Sequence, residues 1–265
     1  MVVQDIFIYP IKSLGGIRLD QAEVEEKGFK YDRRWMLIDS EGLFVSQRTY
    51  PKLALLGVEL TPEGLLVYQK KRQHDSILIP YTLAPGEEVS VVVWDDTMKA
   101  RLLAEQYDQW FSEFLDKEVR LVIMPESTRR AVSPKYAVNA EAVSFADGMP
   151  YLLIGQASLE DLNGRLEQPV PMDRFRPNIV FSGGEAFVED SLQKIQIGDV
   201  AFQLVKPCAR CVMTTVNQNT AETSKEPLKT LASYRTVGNK VLFGQNMVAL
   251  GGGVVRVGDR IEVKK

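Results

Sequence analysis

Two cysteines, Cys208 and Cys211, stand as Cys-x-x-Cys within Lys206-Pro207-Cys208-Ala209-Arg210-Cys211-Val212-Met213-Thr214-Thr215-Val216. This pattern admits several chemistries. A structural zinc site or an iron–sulfur cluster wants a full set of Cys or His ligands, and beyond the two cysteines the chain offers one histidine, His74. A thioredoxin-like dithiol sits at a helix N-terminus, where the dipole lowers the thiol pKa. Here Val212, Thr214, Thr215 and Val216 follow, and such residues predict a strand. The thiols can also serve as small buried hydrophobes, although Pro207 and Arg210 put a loop former and a charge beside them. A soft metal held by one thiolate is the remaining chemistry. Arg210 would favour the ionised sulfur, and an organic cofactor would bring the other sulfur ligands, as a pterin dithiolene does for molybdenum or tungsten. Spacing alone does not choose among these.

The elements that must position the pair read mostly as β. Alternation predicts strands over Val2–Tyr9, Ile17–Glu25, Arg34–Asp39, Leu43–Gln47, Leu55–Leu60, Leu65–Gln69, Ile77–Thr82 and Glu88–Trp94. Turns fall at Ser40-Glu41-Gly42, Thr61-Pro62-Glu63-Gly64 and Ala84-Pro85-Gly86, and Lys70–Asp75 reads as a charged loop. Tyr107, Trp110, Phe111 and Phe114 stand at helical spacing, so Ala104–Leu115 is expected as a helix with its aromatic stripe in the core. Ser158 is expected to cap a helix reaching Leu166, and Glu226-Pro227 to open one reaching Tyr234. Strands are expected over Val119–Met124, Tyr151–Ile154, Asn178–Phe181, Lys194–Ile197, Val200–Leu204, Val241–Leu250 and Val254–Val263, with Glu126–Gly148 irregular. Many short strands between regular turns favour a barrel or sandwich. A boundary near Asp95–Ala104 would divide the chain into residues 1–100 and 101–265.

Bulk composition narrows the function classes. The chain has 265 residues, 45% hydrophobic and 25% charged, as soluble globular proteins do. A net charge of -3 argues against a broad basic face for nucleic acid or anionic lipid, but leaves room for a local basic pocket. Met1–Pro10 reads as a strand, not a signal peptide, and no apolar window reaches the roughly eighteen residues of a membrane span. Free thiols, a reducing compartment and a cytoplasmic location are therefore expected.

Several motifs together carry a family resemblance. Cys208 to Val216, with Phe175-Arg176-Pro177-Asn178-Ile179-Val180 before it and Leu242-Phe243-Gly244-Gln245 after it, resembles the MOSC family, named for the C-terminal domain of molybdenum cofactor sulfurase. Tyr9-Pro10-Ile11-Lys12-Ser13 and Asp32-Arg33-Arg34-Trp35 resemble the β-rich module that precedes MOSC domains. The pattern is most similar to the amidoxime-reducing group of that family. The resemblance implies a predominantly β (α+β) fold, a MOSC-type β-barrel with a few peripheral helices plus a β-rich N-terminal module. It implies molybdenum cofactor (Mo-molybdopterin) as prosthetic group and Cys211 as metal ligand. It implies cofactor contacts from Lys12, Ser13, Arg33, Arg176, Asn178 and Arg210; Cys208 itself reads as structural. Asp147-Gly148-Met149-Pro150 would offer backbone N–H groups, and Asn246 stands where some relatives carry tyrosine.

The implied activity is reduction of N-hydroxylated compounds such as amidoximes and hydroxylamines. With no cysteines left for a cluster and no ferredoxin-like extension after Lys265, electrons are expected from a separate carrier: ferredoxin, flavodoxin or a cytochrome b5-like protein with its reductase. Two rivals remain, a carrier of the cofactor or of sulfur, and a thiol–disulfide protein using Cys208 and Cys211.

Overall fold

The computed structural model describes residues 1–82 and 86–264, so Ala84 and Pro85 of the third expected turn lie outside the described residues. Among these, the largest sheet has nine strands. In spatial order they are Ile261–Lys264, Lys194–Ile197, Val200–Arg210, Lys240–Ala249, Tyr151–Gly155, Ile179–Ser182, Val2–Ile8 and Ile17–Leu19, with Thr236–Val237 beside Lys240–Ala249. Tyr151–Gly155 and Ile179–Ser182 run parallel, and the helix Gln156–Asn163 lies in the long connection that a parallel pair requires. The sheet curls towards closure. Val3 N–H donates to the Asp259 carbonyl at 2.9 Å and Ile261 N–H to the Met1 carbonyl at 2.9 Å, so the first strand bonds to the chain entering the last. Ile6, Ile8, Phe29, Leu153, Phe202 and Met247 fill the interior.

A second group of strands packs beside this half-barrel. One sheet orders Trp35–Ile38, Arg120–Ile123, Asp96–Leu102 and Glu88–Val93. Another is the meander Leu56–Leu60, Gly64–Gln69 and Arg72–Pro80. The helix Glu105–Leu115 buries Tyr107, Phe111 and Leu115 against Trp35, Leu37 and Leu121, as its aromatic spacing requires. The fold is predominantly β with few helices, as expected. The opening strand belongs to the half-barrel, while Ile11 already bridges to Trp35 in the second group. Residues 10–16 therefore run along the seam between the two.

Several local expectations need correction. The strand expected to end at Leu204 runs on as Val200–Arg210, through Pro207 and Cys208. Its pairing slips between Leu204 and Lys206 and again between Pro207 and Ala209, and these irregularities accommodate a residue with no N–H to give. After Cys211 comes one turn of 3-10 helix, Val212–Thr215, and no strand. The Thr214 hydroxyl donates to the Cys211 carbonyl at 3.0 Å and that of Thr215 to Val212 at 2.7 Å. These local bonds compete with the extended form that threonine otherwise favours.

Ile17–Glu25 breaks at Asp20 into strands of two different sheets, and Leu43–Gln47 shrinks to isolated bridges at Leu43 and Phe44. Only Lys70-Lys71 forms the charged turn. Arg72–Pro80 is an edge strand on which Arg72 and His74 face solvent, while the half-buried Asp75 accepts from Trp110 Nε1 at 3.1 Å. Ser158 caps nothing. It lies buried within the helix Gln156–Asn163, accepts from Phe187 N–H at 2.7 Å and donates to Glu189.

Candidate functional site

The seam loop brings Lys12 inward. Its backbone N–H donates to the Trp35 carbonyl at 2.8 Å. Its Nζ donates to the Phe145 carbonyl at 2.7 Å and to Asp147 Oδ1 at 2.6 Å. Only 5% of the residue is exposed, so this lysine is no solvated charge. Burial pushes its pKa down, Asp147 offsets part of that, and the result is about 8. Crowding works against ionisation of Asp147, but Lys12 and Arg48 outweigh it and hold the carboxyl well below its usual range. Arg48 bridges onward, donating from Nη2 to Asp147 Oδ2 at 2.8 Å and from Nε to Cys211 Sγ at 3.4 Å. The ammonium, the carboxylate, the guanidinium and the thiol thus form one continuous chain.

A second group of side chains is built on Tyr9. Its ring lies between two guanidiniums, Arg33 at 4.3 Å and Arg176 at 4.1 Å from the centroid. Arg33 donates to Asp32 Oδ2 at 2.6 Å, to Asn178 Oδ1 at 3.2 Å and to the Arg176 carbonyl at 3.2 Å. Arg176 donates to the Leu14 carbonyl at 2.6 Å, and burial lowers its pKa to about 10. Asn178 also accepts from Leu152 N–H and donates to the Phe7 carbonyl, so it ties three strands together while orienting Arg33. Asp32 is fully buried and accepts Tyr9 N–H at 2.8 Å. The pairing of Arg33 with Asp32 is therefore internal, not the weak surface pair that their adjacency would ordinarily mean.

The backbone is strained in the same places. Ser13, Arg33 and Arg176 have φ of 71°, 50° and 52°, in the left-handed region that non-glycine residues avoid. Such strain costs roughly 1–3 kcal/mol per residue and gathers at functional sites.

Arg210 is held by the hydrophobic core. The rings of Phe175 and Phe243 pack 4.4 Å apart, and their carbonyls accept Arg210 Nη1 at 3.0 Å and Nε at 2.9 Å. Gly244, with φ of 79°, lets Lys240–Ala249 approach Tyr151–Gly155, because a Cβ there would meet Ile154 Cγ1 at 2.7 Å. Arg210 Nη2 is buried with no partner among the described residues. Cys208 packs against the cluster that contains Leu152, Phe175 and Phe243.

These groups surround one cavity of about 470 Å³. Lys12, Ser13, Arg33, Arg176, Asn178, Arg210 and Cys211, all named from the sequence, line it, with Asn246 at its wall. Among the described residues its lining has eight basic side chains and a single carboxylate, Asp147, in a chain of net charge -3. The cavity thus suits an anionic, hydrogen-bonding ligand with one soft metal contact. Fixed guanidinium forks suit phosphate, and the orphaned Arg210 N–H calls for an acceptor. No three His, Cys, Asp or Glu side chains converge to bind a metal among the described residues, so a metal at Cys211 would need ligands from an organic group. The donor set fits a phosphorylated pterin dithiolene. Arg48 and Lys240 also line the cavity and are not singled out by the sequence, while Lys206 of the cysteine stretch and Arg174, which could equally cap a loop, join them there. Arg48 lies 163 positions from Cys211 and belongs to no recognisable motif.

Lys12 supplies a direct test of this electrostatic picture. In the protein without ligand it will titrate near pH 8, followed by NMR of labelled lysine, and Asp147→Asn will lower the value further because Asp147 raises it. Between about pH 8 and 10.5 the unfolded chain holds a proton that the folded chain has released, so this group makes stability rise with pH across that window. Titration near 10.5 would mean that the ammonium is solvated.

The fold and the cavity define a class, β-rich proteins with a thiol set in a basic seam. The chain belongs to the MOSC-domain family. The MOSC domain model matches residues 140–262 and the MOSC N-terminal beta barrel domain model residues 1–118. The chain is 36% identical to mitochondrial amidoxime-reducing component 1 of Mus musculus, over 98% of this chain and 81% of that protein. It is 34% identical to the Homo sapiens component 1, over 98% and 82%. It is 32% identical to component 2 of Rattus norvegicus, again over 98% and 82%.

Proposed function

We propose that this protein is a molybdenum-cofactor-dependent oxidoreductase that reduces N-hydroxylated compounds such as amidoximes and hydroxylamines. The basic cavity closed around the Cys211 thiol carries the reading. The names of the relatives, amidoxime-reducing components, support the substrate class. Cys211 would hold the metal, while Lys12, Ser13, Arg33, Arg176, Asn178 and Arg210 would hold the pterin and its phosphate. When bound, the cofactor supplies the two-electron chemistry at oxygen that no side chain can.

The chain's own residues bind and orient. Asp147 stays ionised near neutrality between Lys12 and Arg48, so it fixes the two cations and does not give up a proton itself. Arg48 Nε donates to the Cys211 sulfur at 3.4 Å and sets a positive charge beside it. Lys12 Nζ, held by the Phe145 carbonyl and Asp147 Oδ1, places a fixed cation on the cavity wall. In the overall change an amidoxime takes up an electron pair and a pair of protons, its N–O bond breaks, and amidine and water leave.

Electrons would come from a separate carrier, a ferredoxin, a flavodoxin or a cytochrome b5-like protein with its reductase. Among the described residues no helix is long and apolar enough to cross a membrane. The reducing setting that free thiols require suits both the cytoplasm expected from the sequence and the mitochondrial names of the relatives. Cofactor-loaded protein is expected to convert benzamidoxime to benzamidine with a reduced carrier and to do nothing with NADH alone. Turnover with NADH alone would remove the separate carrier. Bound cofactor with no turnover of any N-hydroxylated compound would leave the cofactor-carrier reading in its place.

A further inference from the structure

Trp94 is a large aromatic side chain that neither the core nor the cofactor contacts explain. Val93 pairs with Asp96, so Trp94-Asp95 forms the two-residue turn of the hairpin Glu88–Val93 and Asp96–Leu102. The φ of Trp94 is 58°, a turn conformation that favours glycine and disfavours a bulky side chain. The residue is also 48% exposed, so burial does not repay the strain. Strain at an exposed aromatic points to a role for the ring itself.

The contacts of the ring lead into the cavity. Its indole Nε1 donates to Asp147 Oδ1 at 3.3 Å. The Arg48 guanidinium lies 4.6 Å from its centroid, and Phe44 meets it edge-on at 5.2 Å. Asp147 and Arg48 both line the cavity, and Arg48 touches the Cys211 sulfur. The ring is therefore fixed in orientation, two contacts from the thiol, with half of its surface open.

We propose that Trp94 is a specificity-determining residue, a stacking platform beside the cavity residues Arg48 and Asp147 that selects planar aromatic N-hydroxylated substrates over small aliphatic ones. The proposal rests on the reductase reading above. An offset stack on an immobilised indole favours an aromatic substrate and gives an aliphatic one little. A tryptophan that serves to dock a protein partner would have its polar edge free for that partner, whereas here the indole N–H is committed to the site carboxylate.

The test compares benzamidoxime with acetamidoxime on cofactor-loaded protein. In Trp94→Ala the ratio of their kcat/KM values is expected to fall about three- to tenfold, the scale of an aromatic stacking contact. Trp94→Phe, which keeps a ring but loses the N–H donated to Asp147, is expected to recover most of the ratio. Equal loss on both substrates would overturn the proposal and leave Trp94 as a support for Asp147. A change confined to the KM for the electron carrier would overturn it in favour of partner docking.

Tryptophan fluorescence gives a second readout, independent of turnover. Benzamidoxime added without reductant should quench emission in wild type and not in Trp94→Phe, where the buried Trp35 and the partly buried Trp110 remain. If wild type reduces neither amidoxime, the reductase reading fails, and the fluorescence measurement alone decides the platform. The same quenching in both proteins would sink it.

Discussion

Cys211→Ala will remove turnover of benzamidoxime by more than a hundredfold, while Cys208→Ala keeps most of it. Even outer partners of a metal ligand commonly change affinity or activity by about 10–100-fold, so loss of the ligand should exceed that. The two cysteines are near neighbours in sequence but differ in surroundings. Both residues line the basic cavity, but the Cys211 sulfur meets Arg48, whereas Cys208 packs against the Phe175 and Phe243 cluster. Alanine at 211 leaves the fold intact, because what Cys211 gives the following helical turn is its backbone carbonyl, not its sulfur. Steady-state kinetics with circular dichroism on both variants would check this. Equal activity of the two variants would mean that Cys211 holds nothing essential, and equal loss would favour the dithiol reading.

Asp32→Ala will lower the melting temperature by roughly 10 °C. The Asp32 carboxylate is fully buried and accepts both Tyr9 N–H and Arg33 Nη1. Removing it strands a guanidinium with 13% of its side chain exposed and orphans a backbone N–H. Breaking such a buried pair costs about 3–5 kcal/mol, and in chains of this size each kcal/mol moves the melting point by about 2–4 °C. The site suffers with the fold, since Arg33 loses the partner that aims it between Tyr9 and Asn178. Asp32→Asn, which can still accept one bond, should fall between wild type and alanine. Thermal melting followed by circular dichroism is the check, and a shift below about 2 °C would show Arg33 to be solvated after all.

Much of the site was legible because its residues stand in short motifs. Lys12-Ser13, Arg33, Arg176 with Asn178, and Cys208-Ala209-Arg210-Cys211 each lie in a local motif, and all line one cavity. The helix Glu105–Leu115 was legible because aromatic residues at helical spacing can bury together in no other form. Arg48 was not legible. It follows a segment that alternates like a strand, and its two partners lie 99 and 163 positions away. Asp147 stands in a motif that suggests only backbone N–H groups, yet its carboxylate joins Lys12 to Arg48.

The turn after Cys211 was misread because β-branched propensity is a weak preference. Two threonine hydroxyls bonding back to the chain were enough to reverse it. Pro207 suits a loop by residue type, but a slipped register beside it accommodates it within a strand. The net charge of -3 describes the surface as a whole and not the seam, where long-range folding gathers the basic side chains into one cavity.

The most direct measurement is molybdenum per chain by elemental mass spectrometry, on protein made in a host able to synthesise the cofactor. The expected result is close to one molybdenum per wild-type chain, retained in Cys208→Ala and lost, or changed in coordination by X-ray absorption, only in Cys211→Ala. Zinc in place of molybdenum, or no metal in wild type under these conditions, would contradict the assignment of the cavity and leave the thiols to be explained by thiol chemistry.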